Sequence, residues 1–470
     1  MRLPTDVAEP LRITTLVYDS DGTQCGARGA LCSKSIQATD DISGSQGLSA
    51  TPVGAPRTWN YTYNANGSLL SVDGPRTDVP DVTTYTYYAN DDADLGKRGN
   101  VATITNAAGH VTSFTAYNAH GQPLSIVEPN GLTIALAYDA RQRLTARTAG
   151  SETTTYEYDA AGQLTKLTLP EGSFLAYTYD AAHRLTAMQD NLGNRIAYAL
   201  DAMGNRTQEQ LFDPANALAQ TRSRVYSSLN RLFQELGAQS QVTEYAYDNQ
   251  GNVVSVKDPL NHTMSNQYDS LNRLKQVTDP ALGVTQYAYN GLDALTQVTD
   301  PRSLATGYTV DGLGNLTLQA SPDTGTTINA YDEAGNLATS TDARGKSATY
   351  TYDALNRVVQ IVWPEQTLHF EYDQGPNGNG RMTGMSNAQG NTLFQYDAHG
   401  RLVRKSQVTG IRTHVLEYTH DAQGRVATMK YPSGRILSYG YDAAGRVNEL
   451  KVDNQVLLNN VTVSVRESPS

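Results

Sequence analysis

The sequence contains little cysteine, phenylalanine or tryptophan, and it has no long apolar segment. Its 470 residues include 2 Cys, 6 Phe and 2 Trp, which argues against a disulfide-rich scaffold and against a core built from these rings. No run of about 18 apolar residues occurs, so no membrane span is expected. The N-terminus lacks the apolar core of a Sec signal peptide.

Positive charge is scarce as well. Lys and Arg together number 36 against 47 Asp and Glu, which gives a formal net charge of -11. A protein that binds the phosphate backbone normally carries a basic surface. The charge balance therefore argues against nucleic acid as a partner.

Tyrosine and glycine, in contrast, are abundant, with 29 Tyr and 39 Gly. Tyr and Thr suit pleated surfaces, where a ring can be buried while its hydroxyl stays in water. Gly is typical of turns. The composition therefore predicts strands and turns.

A phrase that starts with Tyr-Asp and continues to Gly-x-Leu recurs through the chain. We call its first position the marker, and seven successive markers, 226 to 352, are spaced by 21 residues. The fixed period predicts a repeat architecture over nearly the whole chain. The nineteen markers are positions 18, 63, 87, 117, 138, 158, 179, 200, 226, 247, 268, 289, 310, 331, 352, 372, 396, 420 and 441.

The four residues after each marker predict a turn, which we call the marker turn. Asp at its first position and Gly at its fourth are typical of a type I turn followed by a G1 bulge, where φ is positive. The Asp side chains are expected to accept turn hydrogen bonds rather than act as acids or ligands. The predicted structural pairs are Asp159 and Gly162, Asp248 and Gly251, Asp332 and Gly335, Asp397 and Gly400, and Asp442 and Gly445.

The fourth position of the marker turn also accepts residues other than glycine. Asn or Asp usually replaces Gly there, and both tolerate positive φ well. Gln142 and His183 are exceptions, for which we expect mild strain or a different turn.

A second turn, which we call the half-turn, is predicted about half a period after each marker. Pairs such as Asp258-Pro259 and Asp279-Pro280 occur there, and because Pro has no N–H, these positions suit strand ends. Nineteen units of two strands predict an all-β fold with a long antiparallel sheet, which must curve or spiral because strands twist.

Three stretches interrupt the period, at residues 19–58, 88–99 and 373–380. Insertions in repeat proteins usually lie in loops. We therefore predict a divergent N-terminal repeat with a Gly/Ser-rich insertion over residues 1–58, a repeat array over residues 59–455 and a C-terminal tail over residues 456–470.

The Tyr-Asp-x-x-Gly-x-Leu phrase at this period resembles the Rhs (YD-repeat) proteins of bacteria, and related arrays occur in toxin-complex B and C components and in teneurins. The resemblance implies a β-sheet shell that encloses a C-terminal toxin. Such proteins usually end in a plug segment that is cut by aspartyl autoproteolysis. The sequence up to Ser470 shows neither a plug nor a toxin, so an internal or truncated piece is expected.

The same resemblance implies partners and a location. The partners would be the remaining Rhs shell and a toxin domain, on the same or an adjacent chain, and a component of a secretion machinery could be another. The location would be secreted or at a bacterial cell surface.

Few residues suggest chemistry beyond the repeat. Asp91, Asp92 and Asp94 form a weak calcium candidate, since no Glu closes the loop. Cys25 and Cys32 could form a disulfide in an exported protein or stay as two thiols. The eight His show no zinc spacing, and no nucleophile elbow or dinucleotide fingerprint is present. No enzyme activity, catalytic residue or cofactor is predicted.

The regular Tyr column leaves two interpretations open. Exposed rings could stack on sugars, whereas rings in register could pack on the neighbouring repeat. We favour packing. The functional hypotheses are, in order, a toxin-enclosing shell, a surface adhesin or carbohydrate-binding repeat, and an enzyme hidden in an irregular segment.

Overall fold

The computed structural model describes residues 6–443 and 445–459. These residues form forty β-strands and one 3-10 helix, Gly47–Ser49, and they contain no α-helix. The predicted all-β fold class is confirmed. Within the described ranges, no helical segment has the length and apolarity needed to cross a membrane.

The strands are short, and most have five to seven residues. In chain order they are β1 Val7–Glu9, β2 Arg12–Tyr18, β3 Leu31–Thr39, β4 Pro52–Tyr63, β5 Leu69–Asp73, β6 Thr83–Tyr87, β7 Val101–Thr105, β8 Val111–Tyr117, β9 Pro123–Val127, β10 Thr133–Tyr138, β11 Leu144–Ala149, β12 Glu152–Tyr158, β13 Leu164–Thr168, β14 Phe174–Tyr179, β15 Leu185–Asp190, β16 Arg195–Leu200, β17 Arg206–Phe212, β18 Leu218–Tyr226, β19 Leu232–Leu236 and β20 Val242–Tyr247. The remaining strands are β21 Val253–Lys257, β22 Thr263–Tyr268, β23 Leu274–Thr278, β24 Val284–Tyr289, β25 Leu295–Thr299, β26 Ala305–Val310, β27 Leu316–Ser321, β28 Gly325–Tyr331, β29 Leu337–Thr341, β30 Ser347–Tyr352, β31 Val358–Val362, β32 Thr367–Tyr372, β33 Met382–Asn387, β34 Gly390–Tyr396, β35 Leu402–Thr409, β36 Arg412–His420, β37 Val426–Lys430, β38 Ile436–Tyr441, β39 Val447–Val452 and β40 Gln455–Asn459.

All forty strands belong to one sheet. Successive strands along the chain pair in antiparallel fashion, as β1 does with β2 and β39 with β40. Among the described residues, β1 and β40 each pair with one strand, so the sheet is not closed. The predicted long antiparallel sheet is confirmed.

The chain divides into two compact units. Unit 1 consists of Met1–Gly131, Val284–Leu393 and Val408–Ile411, and unit 2 consists of Leu132–Gly283, Phe394–Gln407 and Arg412–Ser470. In unit 1 the paired strands include β2 to β9 and β24 to β33. In unit 2 they include β10 to β23 and β36 to β40.

The two faces of the sheet differ in chemistry because neighbouring side chains on a strand point to opposite faces. One face, which we call the apolar face, carries the marker tyrosines and their paired neighbours. Cross-strand sets on this face include Tyr177–Met188–Ile196, Tyr245–Val256–Met264 and Tyr350–Ile361–Leu368. The polar face carries sets such as Ala246–Ser255–Ser265, Thr351–Gln360–His369 and Thr419–Thr428–Ser438.

Burial is shallow throughout the sheet. The buried apolar residues number ten among the described residues, and they include Tyr117, Leu132, Ile134 and Tyr198. Most residues of the apolar face are half-buried by their neighbours within the same sheet. The fold is therefore held together mainly by strand-to-strand contacts rather than by a thick core.

The predicted three-part division of the chain stays a prediction. β4 runs across the expected boundary at residue 58, and β40 runs across that at residue 455. Residues 460–470, most of the expected tail, lie outside the described residues.

Candidate functional site

The marker turn closes around the carboxylate of its first residue. At Asp159, Oδ1 accepts the backbone N–H of Gly162 at 2.8 Å and that of Gln163 at 2.9 Å. The Gly162 N–H also donates to the Asp159 carbonyl, and the Asp159 N–H donates to Gln163. This is a type I turn followed by a G1 bulge. The N–H donors of Gln163 and Gly162 hold the pKa of Asp159 below its ordinary value.

The other predicted turns have the same construction. The fourth residue has positive φ at Gly162 (99°), Gly251 (98°), Gly335 (86°), Gly400 (85°) and Gly445 (79°). The carboxylate accepts the N–H four residues later at Asp248, Asp332, Asp397 and Asp442. Gln142 and His183 adopt φ of 64° and 65°. They therefore form the same turn as glycine does, with a strained backbone, and not a different turn.

We expect the change Gly162→Val to lower the free energy of unfolding by at least about 1 kcal/mol, because a β-branched residue at positive φ is strained. Urea unfolding would measure the effect. Gly307 is a suitable control, because a Cβ there would meet no atom within 4 Å and its φ lies outside the left-handed region. A similar loss from Gly307→Val would show that the turn conformation is not the cause.

Most marker tyrosines hydrogen-bond to the preceding repeat. The hydroxyl of Tyr179 donates to the Leu164 carbonyl at 2.9 Å, and that of Tyr352 donates to the Leu337 carbonyl at 2.9 Å. The strand register shifts at the marker, for example between Thr178 and Tyr179. The same bond forms at Tyr87, Tyr117, Tyr158, Tyr247, Tyr268, Tyr331, Tyr372 and Tyr441. The expectation that these hydroxyls stay in water was therefore wrong.

Removing one such hydroxyl should weaken the contact between neighbouring repeats. We expect Tyr352→Phe to lower the free energy of unfolding by about 1 kcal/mol, the usual net value of one hydrogen bond. Tyr350 lies two residues earlier on the same strand, and its hydroxyl has no hydrogen-bond partner among the described residues. Tyr350→Phe should therefore change little in the same urea titration, and equal losses would contradict the role of the bond.

The residue after the fourth turn position links the turn to the next repeat. Arg143 donates from Nε to the Asp139 carboxylate at 2.7 Å and from NH1 to the Asp159 carbonyl at 3.2 Å. Its guanidinium lies 4.6 Å from the centre of the Tyr158 ring. Where Asn takes this position, as at Asn252, the amide bonds Asp248 and Asn272 instead. Such bonds link neighbouring marker turns along one edge of the sheet.

In unit 2, marker turns also contact half-turns from about 250 residues earlier. His399 Nε2 lies 3.1 Å from the Ala149 carbonyl oxygen, and Arg401 NH1 donates to Glu152 at 2.8 Å. Gln423 Nε2 donates to the Ser173 hydroxyl at 2.8 Å. Within this unit, the marker edge of a later stretch of sheet therefore lies against the half-turn edge of an earlier stretch.

Unit 1 contains the same kind of edge contact. Asn130 and Asn379 exchange two hydrogen bonds at 2.9 Å across 249 residues of chain. Arg57 NH2 donates to Asn315 Oδ1 at 2.8 Å. Arg76 NH1 donates to the Asp353 carbonyl at 3.0 Å and to Asn356 Oδ1 at 3.1 Å.

The first insertion contains a disulfide beside a buried carboxylate. Cys25 and Cys32 are joined through their sulfurs, and Asp19 is 1% exposed. The Asp19 carboxylate accepts four backbone N–H groups, from Cys25 at 2.8 Å, Gly22 at 2.6 Å, Asp21 at 3.2 Å and Gln24 at 3.1 Å. These donors, that of Cys25 foremost, lower the pKa of Asp19 to about 2.

The calcium candidate has no comparable geometry. Among the described residues, the group that brings three possible ligand atoms within 4.8 Å is Asp19, Cys25 and Cys32, whose sulfurs are already bonded to each other. Asp92 and Asp94 instead accept backbone N–H groups from Asp94 and Gly96, and with Asp91 they form no such group. The calcium hypothesis therefore gains no support.

Two family models match this sequence. The RHS repeat model matches residues 97–133, 117–154, 138–173, 158–195 and 179–213. The teneurin YD-shell model matches residues 205–407 and 319–458, which together cover more than half of the chain. The chain belongs to the YD-shell family. The expected relation to Rhs (YD-repeat) proteins is confirmed.

Solved structures share the YD-shell fold with this chain. The crystal structure of TcdB2-TccC3 is 14% identical, with a TM-score of 0.72 over 97% of this chain and 31% of that one. The crystal structure of TcdB2-TccC3 without its hypervariable C-terminal region is 12% identical, with a TM-score of 0.73 over 97% and 33%. This chain thus spans about a third of the length of these relatives. No curated protein matches the sequence.

Sequence reasoning missed two classes of residue in this YD-shell. The first is the Arg or Asn that follows most marker turns. Its recurrence at one position of the period could have been noticed in the sequence. The second consists of residues such as Arg57 and Arg76, which contact turns more than 250 residues later. No pattern near these residues in the chain indicates those partners.

Proposed function

We propose that this chain forms part of a non-enzymatic YD-repeat shell that encloses a C-terminal toxin and helps to deliver it in bacterial competition or in contact with a host. The toxin would be supplied beyond this chain or by an adjacent one, together with the remaining shell. A secreted or cell-surface location, with a secretion component as a further partner, belongs to the same proposal.

The observation that carries the proposal is the difference between the two faces of the sheet. The apolar face bears Tyr, Leu, Met and Ile side chains, and among the described residues it is covered by no helix and no second sheet. Leu175 and Met264 on this face are 42% and 38% exposed. A single-layer sheet with one such face suits a wall that lies against a polypeptide cargo, because burial of the exposed apolar area favours contact.

Protease protection of the cargo tests this proposal. The gene would be expressed with whatever coding sequence follows Ser470, and that segment should resist a protease that degrades it when it is made alone. Met264→Asp on the apolar face should reduce the protection, whereas Thr419→Asp on the polar face should not. A segment that is cut equally fast in both settings would contradict the proposal.

A surface adhesin or carbohydrate-binding repeat is the alternative. The marker hydroxyls already bond backbone carbonyls, and the rings are half-buried, so they are poorly placed to stack on sugars. Binding on a glycan array that Tyr245→Ala abolishes would favour this alternative over the shell.

A further inference from the structure

The third residue of some marker turns contacts another stretch of sheet. In unit 2 this position is His399 in one turn and Gln423 in another, and both side chains reach an earlier half-turn. In unit 1 it is Leu313 and Leu355, which are half-buried in turns that Arg57 and Arg76 contact. In unit 2, the third position is therefore one part of the marker edge that meets a half-turn.

Other marker turns in unit 2 leave this position uncovered. Met203, Leu229 and Leu271 occupy the third position and are 75%, 71% and 65% exposed. These three residues define what we call the free marker edge. Large apolar side chains with this much exposure, repeated along one edge, are typical of an interaction surface.

The half-turn edge of unit 2 has an uncovered part as well. Leu260 and Leu282 lie in the half-turns that begin at Asp258 and Asp279, and they are 74% and 81% exposed. Leu282 holds a φ of 67°. These half-turns define the free half-turn edge, in contrast to Ala149, which is buried beside His399.

We propose that the free half-turn edge of one molecule binds the free marker edge of a second copy of this chain. The contact would repeat between molecules the arrangement that His399 and Gln423 already make within unit 2, with Leu and Met side chains in place of polar ones. One copy carries both edges, so the association is head-to-tail, and it can continue beyond two copies unless it closes into a ring.

The size of the two edges determines how strong the association between two copies can be. Successive turns at one edge are separated by two strands, or about 10 Å, so the two half-turns of the free half-turn edge lie about 10 Å apart and the free marker edge spans roughly 30 Å. Such a narrow contact buries less than a standard interface of about 1,600 Å². A weak association that grows with protein concentration is therefore expected. It requires no cargo, so its failure would leave the proposed shell function untouched.

Sedimentation velocity over a concentration series tests the proposal on the full chain. The marker-edge variant carries Met203→Asp, Leu229→Asp and Leu271→Asp, and the half-turn variant carries Leu260→Asp and Leu282→Asp. Asp tolerates positive φ better than Leu, so the half-turn variant should keep its fold. Each variant should raise the dissociation constant at least about 30-fold, as the loss of buried anchor residues does.

Mixing the two variants gives the sharpest result. The marker-edge variant keeps an intact half-turn edge, and the half-turn variant keeps an intact marker edge, so the mixture should regain a dimer with the wild-type dissociation constant. Leu457→Asp is the matched control, because Leu457 is 65% exposed on the terminal strand β40 and lies outside both edges. This variant should associate like the wild type.

Several outcomes would overturn the proposal. They are a wild-type chain that stays monomeric throughout the series, an association that neither edge variant weakens, and a mixture that stays monomeric. A loss of association in Leu457→Asp would indicate strand pairing at the end of the sheet instead. Circular dichroism of each variant would verify the β-sheet content, so that a misfolded variant is replaced by Leu260→Asp or Leu229→Asp alone.

Discussion

Replacing Arg76 with methionine is expected to lower the free energy of unfolding by about 3 kcal/mol, because the carbonyl and amide oxygens that its buried guanidinium contacts lose their donor. The Arg76 side chain is 2% exposed and is paired with Asp78 at 2.6 Å. Its guanidinium also donates to the backbone carbonyls of Tyr352 and Asp353 and to the side-chain amide oxygen of Asn356. Methionine fills similar space but donates no hydrogen bond.

The effect of Arg76→Met should be local as well as large. Amide hydrogen exchange should accelerate in residues 74–82 and 353–357, because the loop at 74–82 would no longer be held against the marker turn that begins at Asp353. Arg344→Met is the matched control, since the Arg344 side chain is 82% exposed and bonds Asp342 within its own turn. The control should leave the free energy of unfolding in urea almost unchanged. Equal losses from the two changes would contradict the stabilising role of the Arg76 contacts.

The parts of this fold that could be predicted from the sequence are those set within one repeat. The marker turn needs an acceptor at Asp159 and positive φ at Gly162, and both requirements lie within four residues of each other. The period of 21 residues then places the marker turns at one edge of the sheet and the half-turns at the other. Strand pairing between neighbours in the chain followed directly from these local features.

The role of the tyrosine hydroxyls needed the structure. The composition, 29 Tyr against 6 Phe, already indicated that the hydroxyl matters, but we assigned it to water. Its acceptor, Leu337 in the case of Tyr352, is 15 residues earlier in the chain, and the register shift at the marker accompanies this bond. A regular strand pairing, as predicted from the sequence, has no such register shift.

The edge contacts could not be predicted because their partners are too far apart in the chain. Arg401 contacts Glu152, which lies 249 residues earlier in the chain. This separation in sequence depends on how much the sheet bends in each repeat. That bend is a small angle summed over many strands. The identity of a turn residue therefore says nothing about which earlier turn it reaches.

Gly26 shows how the first insertion depends on one such tertiary contact. This residue has φ of 102°, and a Cβ built on it would overlap the carbonyl oxygen of Tyr63. The Tyr63 N–H in turn donates to the Cys25 carbonyl at 2.7 Å. The insertion is therefore held against the marker strand through backbone atoms that leave no room for a side chain.

We expect Gly26→Ala to lower the free energy of unfolding by about 3 kcal/mol, the combined result of steric overlap and of strain at positive φ. Gly29 lies in the same insertion with φ of 80°, and a Cβ there would meet no atom within 4 Å. Gly29→Ala should therefore cost only about 1 kcal/mol, from the strain alone. Urea unfolding of both variants measures the difference. Equal costs would show that the insertion can move away from Tyr63 without loss, whereas a larger cost at Gly26 would show that this contact stabilises the N-terminal end of the sheet.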